Sequence, residues 1–180
     1  ISTTPLVFAG IGDLVTEKSG VLNLGLEGLM LMGAVSGFIV LVLTGNYFFS
    51  FFASIISGMV LSLIFAFFVL NLLTNQIATG LALTIFGIGL SAMLGKKFSG
   101  TPIDGLSPYY FIIGSFLIVI LVHHILYKTR IGLIVRSVGE NHHSSFALGY
   151  DVIKTRYLTI MFGGVMSSLA GFYISICYAP

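Results

Sequence analysis

Asn23 and Glu27 stand four residues apart in an otherwise apolar block, with Gly20, Gly25 and Gly28 around them. At helical spacing the amide and the carboxylate share one face. An ionised carboxylate facing lipid costs about 2.5 kcal/mol or more on insertion scales, so Glu27 is expected to face protein or water. The surrounding glycines predict an interrupted helix. Such breaks are tolerated in a membrane where they line a cavity, and their exposed backbone ends can bind polar solutes. A plainer reading stays open, with Glu27 solvated at headgroup level.

A second polar patch holds Asn71, Thr74, Asn75, Gln76 and Thr79, followed by Gly80. One reading is a tight turn between two spans. The other starts from the apolar run 48–74, which as a helix reaches about 40 Å at ~1.5 Å per residue. A hydrocarbon core is only ~30 Å thick, so the patch would lie below the surface, near a solute path. Neutral amides and hydroxyls suit a solute rich in hydroxyl and carbonyl groups.

Other chemistry is excluded. His123-His124 and His142-His143 are adjacent pairs, and neighbours on a helix point about 100° apart. Zinc ligands on a helix usually stand three or four residues apart with Cys or carboxylate partners, so no metal site is expected. There is no nucleophile–base pair, no pair of catalytic carboxylates and no G-x-x-x-x-G-K-[ST] phosphate loop. No catalytic residue is assigned.

The elements that must position these groups follow from composition. Of 180 residues, 57% are hydrophobic and only 8% charged, against roughly 25% charged in a soluble domain. From Gly28 to Gly95 there is no Asp, Glu, Lys, Arg or His, room for about three spans of ~20 residues. The chain is therefore read as an all-α integral membrane protein. A net charge of +2 leaves no nucleic-acid footprint, and the apolar content excludes disorder. Cys177 is the single cysteine, so no internal disulfide forms. The chain opens on Ile1 without a signal peptide pattern, and Tyr178-Ala179-Pro180 directly follow an apolar run. It is expected to be one domain over 1–180, truncated at both ends.

Five apolar segments, roughly 24–44, 48–74, 76–95, 109–127 and 157–177, are too long for barrel strands of ~10 residues. With every backbone group satisfied inside lipid they must be helices. A sixth, more ambiguous segment occupies 1–16, where Pro5, Gly10, Gly12 and Asp13 interrupt the apolar residues. The expected fold is a polytopic bundle of five to six segments, one of them discontinuous. Tyr47, Tyr109, Tyr110, Tyr127 and Tyr157 at segment ends supply the interfacial aromatic belt. Gly33 with Gly37, and Gly163, Ser167 and Gly171, are small residues at helix-packing spacing.

Lys128, Arg130, Arg136, Lys154 and Arg156 lie in the 128–156 connection, against Lys96 and Lys97 in the 96–108 connection. The excess places 128–156 in the cytoplasm. Alternation then puts 96–108 and 44–47 outside and the 74–76 turn inside. Within the long cytoplasmic connection a short helix is expected, with Asn141 as N-cap and Gly149 as the residue after its C-cap. Phe146 and Tyr150 form one apolar edge with Leu148 nearby, suited to docking a soluble partner rather than resting on membrane lipid.

The block from Glu17 to Ala34 resembles the signature of bacterial ABC importer permeases of the branched-chain amino acid, ribose and nucleoside superfamily. Its N-x-G-x-E-G-x-M pattern, at Asn23, Gly25, Glu27, Gly28 and Met30, is similar to that of the simple-sugar and nucleoside subgroup. A second likeness runs from Asn75 to Leu83. A third, from Arg136 to Asn141 and on through Gly149 to Ala170-Gly171, resembles the loop that contacts the ATPase subunit. Ser144-Ser145 replace the usual two alanines, and His142-His143 stand where Pro and an acid are common.

The resemblance implies a permease subunit, not an enzyme, of a multi-pass bacterial inner-membrane importer. It would move a nucleoside or simple sugar by ATP-driven alternating access. Asn23, Glu27, Asn75, Gln76 and Thr79 would line the substrate path. Gly139, Glu140, Ser144, Ser145 and Gly149 would form the cytoplasmic coupling helix to the ATPase. The implied partners are that ATPase, which would bind ATP and Mg so that this chain needs no cofactor, a second homologous permease and a solute-binding lipoprotein or periplasmic protein. The alternatives are a branched-chain amino acid permease and a non-transporting membrane scaffold.

Overall fold

A computed structural model of the chain describes residues 3–98, 100, 105 and 107–178. The expectations about the two chain ends, and part of the 96–108 connection, lie outside the described residues. Helix α1 (Thr4–Lys18) is followed by α2 (Leu26–Thr44) and α3 (Tyr47–Ala66), which continues in π-type winding over Phe67–Asn71. Then come α4 (Gln76–Gly95), α5 (Tyr109–Lys128), α6 (Arg130–Glu140), α7 (His142–Ala147) and α8 (Val152–Tyr173) with a π-type extension, Ile174–Tyr178. No strand occurs among the described residues.

Local chemistry sets the ends of these helices. The Asn46 and Asn75 side chains accept N–H groups of the first turns of α3 and α4, satisfying donors that a helix start leaves unpaired. Gly45 closes α2 at φ +65°, with its N–H on the Leu41 carbonyl. The ambiguous first segment is a helix, α1. It runs unbroken through Gly10, Gly12 and Asp13, because Pro5 sits in the first turn, where its missing N–H costs nothing.

Gly12 is needed for contact, since a Cβ there would stand 2.8 Å from the Met166 side chain. The last span also begins earlier than expected. Asp151 caps α8 by accepting the Lys154 N–H at 3.1 Å, so the charged stretch 152–156 is its first turn and not loop.

Helix α8 is the axis of the bundle. In its membrane-length stretch 67% of residues are buried, against 17% in α5. α3 lies antiparallel to α8, with Ser54 donating to the Ser168 carbonyl at 3.0 Å and Gly58 against Gly164. α1 is antiparallel too, pairing Gly12 with Gly163 and Thr16 with Thr159. α2 and α4 run with α8, and Gly28 meets the backbone of Leu83 and Thr84. The small-residue spacing serves these crossings: Gly33 lies on the Ser168 backbone and Gly171 on the Met30 carbonyl. Close approach lets the helices gain dispersion contacts, the main source of association in lipid. Ile113, Phe116, Leu117 and Ile120 of α5 face outward, as lipid-facing side chains do.

One end of the bundle gathers the 19–25, 71–76 and 128–151 connections. The Tyr157 hydroxyl donates to the Asn71 side chain, Leu22 N–H to Gln76 Oε1 at 2.9 Å, and Arg156 Nε to the Ser19 carbonyl at 3.2 Å. That end also carries Lys18, Lys128, Arg130, Arg136, Lys154 and Arg156, while Lys96 and Lys97 follow α4 at the other. The side-by-side placement of the 74–76 turn and the 128–156 connection agrees with the alternation read from the sequence.

Candidate functional site

The segment 19–25 is a strap between α1 and α2. Gly20 takes φ +81°, a conformation open to glycine at little cost, and turns the chain under the bundle. Asn23 is 3% exposed. Its Oδ1 accepts the Gly25 N–H at 2.9 Å, and its Nδ2 is buried without a partner. On the far side, Thr84 donates to the Leu24 carbonyl at 3.0 Å and Gln76 accepts from Leu22.

Above the strap lies a cleft of about 300 Å³ lined by Asp13, Glu17, Asn23, Glu27 and Thr84, with leucine walls. Asn23 and Glu27 do not share a helix face as expected. Asn23 belongs to the strap and Glu27 to the first turn of α2, yet both line this one cleft. Glu27 is exposed and stands at the start of a helix about 28 Å long at ~1.5 Å per residue, so its carboxylate lies at one mouth of the span. A carboxylate there also meets the positive end of the α2 dipole.

Asp13 and Glu17, one helical turn apart on α1, bring two further carboxylates to the cleft. Sequence reasoning passed over them, although their four-residue spacing marks one face. The ion pair found among the described residues is Asp151 with Lys154, at 2.9 Å, so the cleft is acidic and not internally neutralised.

The other expected path residues are elsewhere. Asn75 caps α4 by accepting the Ile77 and Ala78 N–H groups. Gln76 holds the strap from outside the cleft. The Thr79 hydroxyl pairs with that of Thr74 at 2.8 Å, and Thr79 borders a separate apolar cleft of about 520 Å³ with Phe65, Phe68 and Phe86. The five residues therefore do not line one cavity.

The second feature is α7. The short helix expected between Asn141 and Gly149 is present: Asn141 ends α6 in extended backbone and caps α7 by accepting the Ser144 N–H at 3.1 Å, so Gly139 and Glu140 belong to the end of α6. Gly149, at φ +85°, donates to the Phe146 carbonyl while Tyr150 N–H reaches Ser145, the paired bonds of a Schellman stop. Asp151 then opens α8. The Lys154 N–H, and next the Lys154 ammonium, hold its carboxyl below the usual carboxylate range.

Within this segment the exposed side chains are not the small ones alone. Ser144 and Glu140 are exposed, but Ser145 is 1% exposed, its hydroxyl on the Asn141 carbonyl. Gly139 packs on the Lys18 carbonyl, where a Cβ has no room. Phe146 and Leu148, each 74% exposed, dominate the apolar edge, with Tyr150 less exposed beside them. The rings of His142 and His143 lie 4.1 Å apart, and no group of three metal-ligating side chains occurs among the described residues.

The model of the family described as branched-chain amino acid transport system / permease component matches residues 1–179. The chain is 34% identical to the putative glucose ABC transporter permease protein TsgC13 of Haloferax volcanii, over 99% of this chain and 61% of that protein. It is 28% identical to the guanosine ABC transporter permease protein NupQ of Bacillus subtilis and 30% identical to the nucleoside ABC transporter permease protein NupC of Lactococcus lactis. Each of those alignments covers 95% of this chain and 63% of the relative. The chain thus spans a little over three fifths of the length of these relatives. No solved structure matches it. With the family model matched from end to end and five helices long and apolar enough to cross a membrane, this multi-pass membrane protein belongs to the branched-chain amino acid transport system permease family.

Proposed function

We propose that the chain is the membrane-spanning portion of an ABC importer permease that moves a nucleoside or simple sugar, driven by ATP hydrolysed on a separate subunit. The observation that carries this reading is α7. It is a six-residue helix, stopped at both ends and held at the basic end of the bundle, with Phe146 and Leu148 turned outward. A connection of this kind presents a short rigid apolar edge to a soluble partner. The names of the three relatives support the solute class, and the cleft supplies acceptors for hydroxyl and amine donors. A second copy or homologue of the permease would face the acidic cleft, because carboxylates cannot face lipid cheaply. A solute-binding protein would deliver the solute at the opposite end.

Six of the eight Lys and Arg residues lie at the end that carries α7, and this asymmetry supports a cytoplasmic location for that end. Ser144→Cys, in a background with Cys177 replaced by Ser, is expected to react with a membrane-impermeant maleimide only after cells are opened. Labelling in intact cells would reverse the orientation.

The solute path is tested at Glu27. In the full-length permease Glu27→Gln keeps the size and removes the charge at the cleft, and is expected to lower uptake several-fold while membrane content stays within about twofold of the wild type. Wild-type uptake by this variant would make Glu27 a solvated headgroup-level residue.

A further inference from the structure

A further cleft, of about 410 Å³, opens among α5, α6 and α8 and shares no residue with the acidic one. Its walls are Leu121, Ile125 and Leu126 of α5, Ile131 and Val135 of α6, and Leu158 of α8. Two threonines border it, but their hydroxyls are engaged: Thr155 donates to the Asp151 carbonyl at 2.9 Å, and Thr159 to Ser19 Oγ at 2.8 Å. The lining therefore offers an occupant dispersion contacts rather than side-chain hydrogen bonds. The α5 wall lies within about 10 Å of the end of that helix at ~1.5 Å per residue, so the cleft descends from headgroup level into the hydrocarbon layer.

The mouth of this cleft is basic. Lys128 ends α5 and Arg130 begins α6, next to the wall residues Leu126 and Ile131, and both cations are exposed. From Gly105 to Gly139 the sequence holds no Asp or Glu, and Glu140 stands at the far end of α6. On the neighbouring helices Asp13 and Glu17 line the acidic cleft instead, and Asp151 pairs with Lys154 at 2.9 Å. Lys128 and Arg130 thus have no carboxylate partner among the described residues. Arg136 lies over the Tyr127 ring, 5.1 Å from its centroid, which adds a third cation to the α5–α6 corner.

We propose that this cleft holds an acyl chain of one anionic phospholipid, whose phosphate sits on Lys128 and Arg130. Apolar walls alone would accept any lipid tail; the unpaired cations at the mouth select a negative headgroup. Basic pockets between transmembrane helices bind anionic headgroups in this way, and the start of α6 adds the positive end of its dipole. The bound lipid ties a loosely held helix to the bundle. Only 17% of the membrane-length stretch of α5 is buried, and the cleft bridges α5 to α6 and to the axis α8. Lipid binding here needs only that the helices span a membrane, and is independent of solute and ATPase.

The test titrates the full-length permease, purified in detergent and stripped of lipid, with dioleoyl phosphatidylglycerol or dioleoyl phosphatidylcholine. Native mass spectrometry counts the bound lipid, and thermal unfolding follows stability. The wild type is expected to bind its first anionic lipid about tenfold more tightly than the neutral one, and to unfold at a higher temperature when it is bound. Lys128→Gln with Arg130→Gln is expected to bring the two lipids within about twofold of each other. Lys96→Gln with Lys97→Gln, at the other end of the bundle, is expected to keep the wild-type preference. Leu158→Trp, at an exposed wall position, fills the cleft and is expected to weaken both lipids without loss of stability. Glycerol 3-phosphate, which has the phosphate but no chain, is expected not to displace the bound lipid. Equal affinity for the two lipids in the wild type, or an unchanged preference in the Lys128 and Arg130 double variant, would overturn the site. Displacement by glycerol 3-phosphate would overturn the acyl-chain contact. A full-length permease that takes up no lipid, and that Leu158→Trp destabilises, would show the cleft filled by protein and overturn the proposal.

Discussion

Phe146→Asp in the full-length permease is expected to weaken ATPase binding more than tenfold while leaving the membrane spans folded. Phe146 is 74% exposed on α7, so its own chain loses little packing when it is replaced. A buried aromatic anchor in an interface contributes about 2 kcal/mol or more, and each ~1.4 kcal/mol is a tenfold change in affinity. The aspartate adds a charge where the contact excludes water. Leu148→Asp is expected to act in the same direction. Ser145→Arg, by contrast, would force a long cation into the 1%-exposed space behind α7 and would damage the helix itself. Pull-down of the ATPase by each variant separates these cases, and equal recovery with Phe146→Asp would mean that α7 rests on lipid headgroups.

The other large effect lies in the bundle. Gly171→Val on α8 is expected to abolish the monodisperse folded permease. A Cβ at Gly171 would penetrate the Met30 carbonyl of α2, and Gly33 presses the same two helices together against the Ser168 backbone. Overpacking a core costs about 1–3 kcal/mol when side chains can rearrange. Here the obstacle is backbone on both sides, so α2 and α8 must separate and the cost lies at or above the upper value. Gly114→Val on α5 has open space around it and is expected to change little. Size-exclusion profiles and thermal stability in detergent compare the two; equal behaviour would contradict the tight α2–α8 crossing.

The spans were legible because lipid permits few solutions. A long run without charge must be helical, and 26–44, 47–71, 76–95 and 109–128 follow the expected segments within a few residues. Capping chemistry was legible at Asn141 and Gly149 for the same local reason. What the sequence hid depends on distant contacts or on charge read as loop. α6 was absorbed into the basic connection, although Val135 and Val138 mark its buried face and Thr129 caps it. The first turn of α8 was hidden by Lys154 and Arg156. In α1, Gly12 serves close approach to α8.

At the site, the Asn23–Glu27 spacing suggested one helix face, whereas Gly20 and Gly25 place Asn23 in a strap. Asp13, Glu17 and Thr84 join it because α1 packs on α8 and α4 packs on α2. Arg156 reaches Ser19 across 137 positions of sequence, a contact no local pattern can reveal. The small-residue spacings in α2 and α8 were visible, but only the fold shows that they serve fixed crossings of the bundle.

The most direct measurement of the importer reading is uptake by proteoliposomes that hold the full-length permease, its ATPase and its solute-binding protein. Labelled guanosine and labelled glucose are offered separately, with and without ATP in the compartment that faces α7. The expected result is accumulation of one of the two solutes against its gradient, dependent on hydrolysable ATP and absent with a non-hydrolysable analogue. Accumulation of neither solute, or equal entry with and without ATP, would contradict it.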